Sequence, residues 1–145
     1  MSSAVDKMTS RASLGESFQN PFGQISVLEP IMHVVPELAD EASGLVPAVI
    51  GLTSALAERG MALSLHTLAP GPSASLGLSA KIDTQVHRRS MFLRRLGISP
   101  DMRAALRTGC RRAAVLHSHC LWMMPSIYPG FVCRETSTIL VVSPH

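Results

Sequence analysis

Residues 31–68, IMHVVPELADEASGLVPAVIGLTSALAERGMALSLHTL, carry the pattern that decides the fold. Ile31 to Val35 is a short, almost continuous apolar run stopped by Pro36, as in a strand buried on both faces. After a polar loop, Leu45, Val49, Leu52 and Leu56 recur at helical spacing. Gly60 follows Glu58 and Arg59 where a helix C-cap belongs, so the spacing predicts a helix over about 46–59. From Met61 to Leu68, Leu63 and Leu65 alternate with Ser64 and His66, and the breaker run Ala69-Pro70-Gly71-Pro72 follows. Strand, helix, strand is a crossover unit, whose strands are parallel and whose hand is right.

Toward the C-terminus the alternation continues. Ile82 to His87 reads as a weak strand and Ser90 to Leu96 as a short helix. Ser99-Pro100-Asp101 is a stronger start signal, because serine caps a helix, proline fits its first turn and an early acid suits its dipole. That helix is expected to run to about Arg112, with Met102, Leu106 and Cys110 as its apolar stripe and Arg103, Arg107 and Arg111 beside it. Ala113 to His117 reads as a buried strand, Ser126 to Glu135 as a helix and Ile139 to Val142 as a last strand. The fold class is therefore α/β, a doubly wound parallel sheet. Toward the N-terminus, residues 1–28 are serine-rich with no sustained period and read as a disordered extension, leaving 29–145 as the domain.

The chain has 145 residues, 46% hydrophobic and 16% charged, enough to bury a core and too apolar for a disordered or coiled-coil protein. Its longest apolar stretch, Leu45 to Leu52, contains a proline and falls short of the roughly 18 residues of a membrane span. Cys110, Cys120 and Cys133 are too few and too irregularly spaced for a disulfide framework, and the polar N-terminus lacks a signal segment, which points to the cytoplasm. A mean hydropathy of +0.25 is high for a small domain and suggests that further sequence would cover part of its surface.

The net charge of +3 is concentrated. Arg88, Arg89, Arg94, Arg95, Arg103, Arg107, Arg111 and Arg112 share one segment, opposed there only by Asp101. Such a cluster is either a solvated helix face or a surface for an anionic partner, including peripheral contact with the inner face of a membrane. With one Trp, one Tyr and four Phe the chain offers little base-stacking surface, so no nucleic-acid partner is expected.

In an open parallel sheet the informative residues follow the strands. After the first strand, Gly44 stands just before the helix, where a glycine is either a plain turn or a point of close approach for a phosphate. No Gly-x-Gly-x-x-Gly accompanies it, which counts against a dinucleotide oxidoreductase. His117 and His119 point the same way if their strand continues. No third and fourth ligand at suitable spacing accompanies them, so the metal reading is set aside for a core or hydrogen-bonded histidine. Cys120 beside His119 lacks an orienting acid for nucleophilic catalysis. Trp122, Met123 and Met124 suit either packing under the next helix or the apolar wall of a pocket.

Taken in order, His-Val-Val-Pro at 33–36, Asp-Glu-Ala-Ser-Gly at 40–44, Leu-Ala-Glu-Arg-Gly at 56–60 and Leu-His-Thr-Leu-Ala-Pro at 65–70 resemble a known family. So do Leu-Gly-Ile-Ser-Pro at 96–100, His-Ser-His-Cys-Leu-Trp-Met-Met-Pro at 117–125 and Val-Val-Ser-Pro-His at 141–145. The stretch from Ile31 to His145 resembles the N-terminal half-domain of glycosyltransferase family 4, the Rossmann-like acceptor side of the two-domain GT-B architecture. The resemblance implies a retaining transfer from a nucleotide-sugar donor to a sugar or lipid-linked acceptor, in surface polysaccharide or glycoconjugate synthesis, without a resident cofactor or metal.

It implies that Gly44 approaches the donor diphosphate, with Ser43 in place of a first loop glycine. It implies that His119 is the catalytic residue near the transferred sugar, and that His145 and Trp122 border the acceptor cleft. Cys120 stands where glycine is usual. The family's C-terminal donor-binding domain has no counterpart here, so the expectation is a truncated sheet, inactive alone. The alternative is a non-catalytic fragment or a basic membrane-surface module.

Overall fold

The computed structural model describes residues 30–38, 44–71 and 77–144. The disorder expected of residues 1–28, and the sites assigned to Ser43 and His145, lie outside the described residues. The elements in chain order are β1 (Ile31–Val35), α1 (Leu45–Glu58), β2 (Leu63–Leu68), β3 (Ile82–His87), α2 (Pro100–Gly109), β4 (Val115–His119), α3 (Met124–Cys133) and β5 (Ile139–Ser143). All five strands form one parallel sheet in the order β3-β2-β1-β4-β5.

Strand periodicity divides the side chains between two layers. On one face Val35, Leu63, Leu65 and Ile82 pack with Val46, Val49 and Ala57 of α1. On the other Met32, Val34, Leu68 and Leu116 pack with Met102 and Leu106 of α2, Cys110 just beyond it, and Tyr128 and Val132 of α3. Two polar links tie the second layer together. The Ser99 hydroxyl caps α2 by accepting from the Met102 amide at 3.2 Å, while the Ser99 amide donates to the Tyr128 hydroxyl at 2.9 Å. Thr138 donates to the carbonyls of Cys110 and Ala113, anchoring the end of α2 to the start of β5.

Several boundaries differ from the sequence reading. Ser90 to Leu96 forms only a 3₁₀ turn over Arg94–Leu96, bracketed by Leu93 and Gly97 in left-handed conformation. Helix α2 stops at Gly109 rather than near Arg112: glycine is the poorest helix former but proline, and the carbonyl of the next residue, Cys110, is taken by Thr138. Strand β4 runs two residues further than expected, to His119, because β1 pairs with it as far as Ser118 and β5 as far as His119. Helix α3 begins at Met124, with Pro125 in the first turn where its missing N–H costs nothing. At the sheet edge, Ile139, Leu140, Val141 and Val142 are all exposed, so both faces of β5 present apolar side chains to solvent. No helix among the described residues is long and apolar enough to cross a membrane.

Two glycines test the packing. Gly97 has φ +66°, and a Cβ there would stand 2.8 Å from Met123 and 2.9 Å from Leu68. Gly97→Ala is expected to cost about 2 kcal/mol from backbone strain and overpacking, read as a lower denaturant midpoint. Gly51, exposed in the middle of α1, meets nothing within 4 Å. Gly51→Ala is expected to add about 0.5–1 kcal/mol, and a loss there would mean that α1 is wrongly registered.

Candidate functional site at the carboxyl edge

From β1 the chain winds outward to β2 and β3, and then returns to the other flank of β1 for β4 and β5. The reversal falls between β1 and β4, and open α/β sheets bind ligands beyond the carboxyl ends of the strands at such a point. Gly44 and His119 both belong to this edge: Gly44 opens the helix that follows β1, and His119 is the last residue of β4.

Gly44 has φ −59° and ψ −17°, an ordinary helical conformation that any residue adopts. What distinguishes the position is space, since no described atom lies within 4 Å of where a Cβ would stand. Helix α1 has neither a side-chain cap nor an acidic residue in its first turn. The first N–H groups of a helix lack intrahelical acceptors, and the helix dipole makes that end positive.

His119 is buried, and its Nε2 lies 3.2 Å from Nδ1 of His33, also buried, on β1. The register that pairs His33 with His117 puts all three imidazoles on one face, because residues two apart on β4 point the same way. The ring centroids of His117 and His119 are 4.1 Å apart, and those of His33 and His117 are 5.3 Å apart. His117 is half-buried and its Nε2 makes a 2.7 Å hydrogen bond with the Ser143 hydroxyl of β5. Burial, then the nearby His117, lowers the pKa of His33 to about 4, so this imidazole is neutral at pH 7.

The sequence reading joined His117 to His119 but missed His33, 86 residues before His119. A histidine in the middle of an otherwise apolar strand was the available signal. Only the β1–β4 register unites it with the other two.

The residue after β4 has an unusual backbone. Cys120 takes φ +75°, a region that disfavours side chains, and its amide donates to the Ser143 carbonyl at 3.1 Å. Burial raises the Cys120 thiol pKa, which leaves less of the reactive thiolate. Trp122 does not pack under α3: it is 85% exposed, whereas Met124 reaches the core. The difference arises because α3 starts two residues earlier than expected and turns Met124 inward.

The arginine segment divides. Arg89 pairs with Glu37 at 2.6 Å across the carboxyl edge, and Arg107 pairs with Glu135 at 2.9 Å on the surface. Arg88, Arg94, Arg95, Arg103, Arg111 and Arg112 are exposed. Met91 and Phe92, which stand between these arginines, are 88% and 73% exposed.

A second histidine pair lies on the opposite face, where His66 and His87 stack with a 3.0 Å nitrogen-to-nitrogen contact. Nearby, at the amino ends of the strands, His66, Asp83, Gln85, Thr108 and Arg112 help to line a groove of about 660 Å³.

Fold and site together define a Rossmann-like parallel α/β domain with a histidine cluster where its winding reverses. Comparison with protein-family models, curated proteins and solved structures finds no match to this chain.

The second pair yields a pH test. Burial, then the charge of His87, lowers the His66 pKa to about 4, with Asp83 opposing. The His87 pKa is also lowered by burial, with Asp101 opposing. The unfolded chain therefore binds protons first, near the ordinary value of 6.5, and native stability is lost as pH falls from about 6.5 toward 4. His66 alone should contribute a loss on the order of 3 kcal/mol. Denaturant midpoints should fall over this window, and His66→Leu should flatten the slope; equal slopes would contradict a buried, neutral His66.

Proposed function

We propose that this domain is the acceptor-side half of a retaining glycosyltransferase that uses a nucleotide-sugar donor. The observation that supports the reading is that Gly44 opens the helix after β1 and His119 ends β4, the two neighbouring strands at which the winding reverses. These are the two positions to which the motif resemblance assigns donor diphosphate and transferred sugar. The left-handed backbone of Cys120 supports it as well, since the family's usual residue there is glycine and the conformation suits glycine.

On this reading the donor diphosphate lies against the amides at the start of α1, where the open space above Gly44 permits close approach. Backbone dipoles fixed in the fold stabilise phosphate charge without reorganising during the reaction. His119 hydrogen-bonds the sugar near the reacting centre, held in orientation by His33. The family's second domain supplies the nucleotide contacts and the other wall of the cleft. Holding the two substrates together can account for roughly 7–11 kcal/mol of a barrier, so the 145 residues alone should not turn over.

The test is amide chemical-shift mapping with UDP, GDP and their glucose and mannose conjugates. Shifts are expected around Gly44 and His119. Gly44→Val, whose added side chain meets open space, should keep the fold and weaken binding at least tenfold. Silence at both positions with every probe would overturn the reading, and robust sugar transfer by this chain alone would overturn its division of labour.

A second reading has its own observation. Exposed Met91, Phe92, Leu93 and Leu96 among exposed Arg88, Arg94 and Arg95 form an apolar tip ringed by positive charge, the composition of a peripheral membrane contact. Cosedimentation should occur with vesicles containing phosphatidylserine and not with phosphatidylcholine alone, and should weaken with salt. Phe92→Ser should reduce it several-fold. Equal sedimentation with neutral vesicles would sink this reading.

A further inference from the structure

We propose that His33, His117 and His119 bind a divalent transition-metal ion of the zinc class, leaving one coordination position open to solvent or ligand. One ligand nitrogen from each of the three rings lies within 4.8 Å of the other two. Two nitrogens bound to one tetrahedral zinc at about 2.0–2.1 Å stand roughly 3.3 Å apart. The 3.2 Å between Nδ1 of His33 and Nε2 of His119 already matches that spacing. The ligand nitrogen of the half-buried His117 lies within 4.8 Å of the other two and would have to close to the same spacing to complete the set.

The donor set decides the class of ion. Three imidazoles without a carboxylate suit zinc, copper, nickel or cobalt, and are poor ligands for magnesium or calcium, which require oxygen. Neighbouring parallel strands hold His33 opposite His117, and the pleat holds His119 two residues on, so the backbone preorganises the set. The Ser143 hydroxyl at 2.7 Å from Nε2 of His117 can accept a hydrogen bond from that nitrogen and orient the ring.

His33 and His119 are buried, so an ion would enter past the half-buried His117: α1 packs over β2 and β3, while on the same face the neighbouring β5 residues Ile139 and Val141 are exposed. Three neutral ligands leave the ion's double charge uncompensated, so the open position favours an anion. The inference does not rest on the sugar-transfer reading. The two intersect at His119, because a nitrogen bound to a metal cannot also hydrogen-bond a sugar.

The experiment is calorimetric titration of chelator-treated full-length protein with zinc chloride, with cobalt chloride as a spectroscopic probe. One zinc ion per chain is expected, and cobalt should give the visible d–d bands of a four- or five-coordinate nitrogen site. His117→Gln, at the half-buried position, should retain the circular dichroism spectrum and lower affinity at least a hundredfold. His119→Gln should act alike, and Ser143→Ala should lower affinity about tenfold. His66→Gln and His87→Gln, on the opposite face, should leave binding unchanged. Absence of saturable binding, or stoichiometric binding that survives both His117→Gln and His119→Gln, would overturn the assignment. Metal binding without any response to sugar nucleotides would leave the metal site standing and remove the sugar-transfer reading.

Discussion

The pairing of β1 with β4 is the contact on which the rest of the molecule depends. Strand β1 lies in the centre of the sheet, hydrogen-bonded to β2 on one side and β4 on the other, and four of its five residues are buried. Its register sends Met32 and Val34 into the layer beneath α2 and α3, and Val35 toward α1. A slip by one residue would exchange those sets, push His33 into the larger apolar core and separate it from His117 and His119. One register therefore specifies both hydrophobic layers and the histidine cluster.

Burying that cluster has an energetic cost which the fold offsets locally. A charged imidazole in the interior would be heavily penalised, so His33 is held neutral and shares a hydrogen bond with His119, while His117 is anchored to Ser143. The His66–His87 pair solves the same problem on the other face. Two stacked histidine pairs in one small sheet mean that stability and site chemistry respond to the same variable, acid. The carboxyl-edge cluster differs in its three-ring geometry and in its place where the winding reverses.

The carboxyl edge also gathers features with no common origin in the sequence. Gly44 follows β1, the arginine-flanked Met91 and Phe92 follow β3, and Cys120 and exposed Trp122 follow β4. A parallel sheet brings them to one end because all its strands run the same way. Backbone amides at α1 suit an anion, and the imidazoles suit either a sugar hydroxyl or a soft metal ion. Exposed apolar side chains between arginines suit an anionic surface. The amino edge offers the groove beside His66, remote from this chemistry.

What could be read from residue order alone was local. The apolar run at Ile31 to Val35, the 3.6-residue spacing from Leu45 to Leu56 and the serine cap at Ser99 each act within a few residues, and each element formed where its own chemistry called for it. Alternation of those elements was enough for a parallel α/β sheet. Boundaries that depend on partners were less legible: β4 extends to His119 because β5 pairs with it that far, and α2 stops just before Cys110, whose carbonyl accepts from Thr138. Gly44 and His119 could be singled out as residues that follow strands. The membership of His33 in the site, the left-handed backbone of Cys120 and the exposure of Trp122 could not, because each is set by chain segments distant in sequence. Register and packing are non-local, and they alone made a site of three histidines whose spacing along the chain announces nothing.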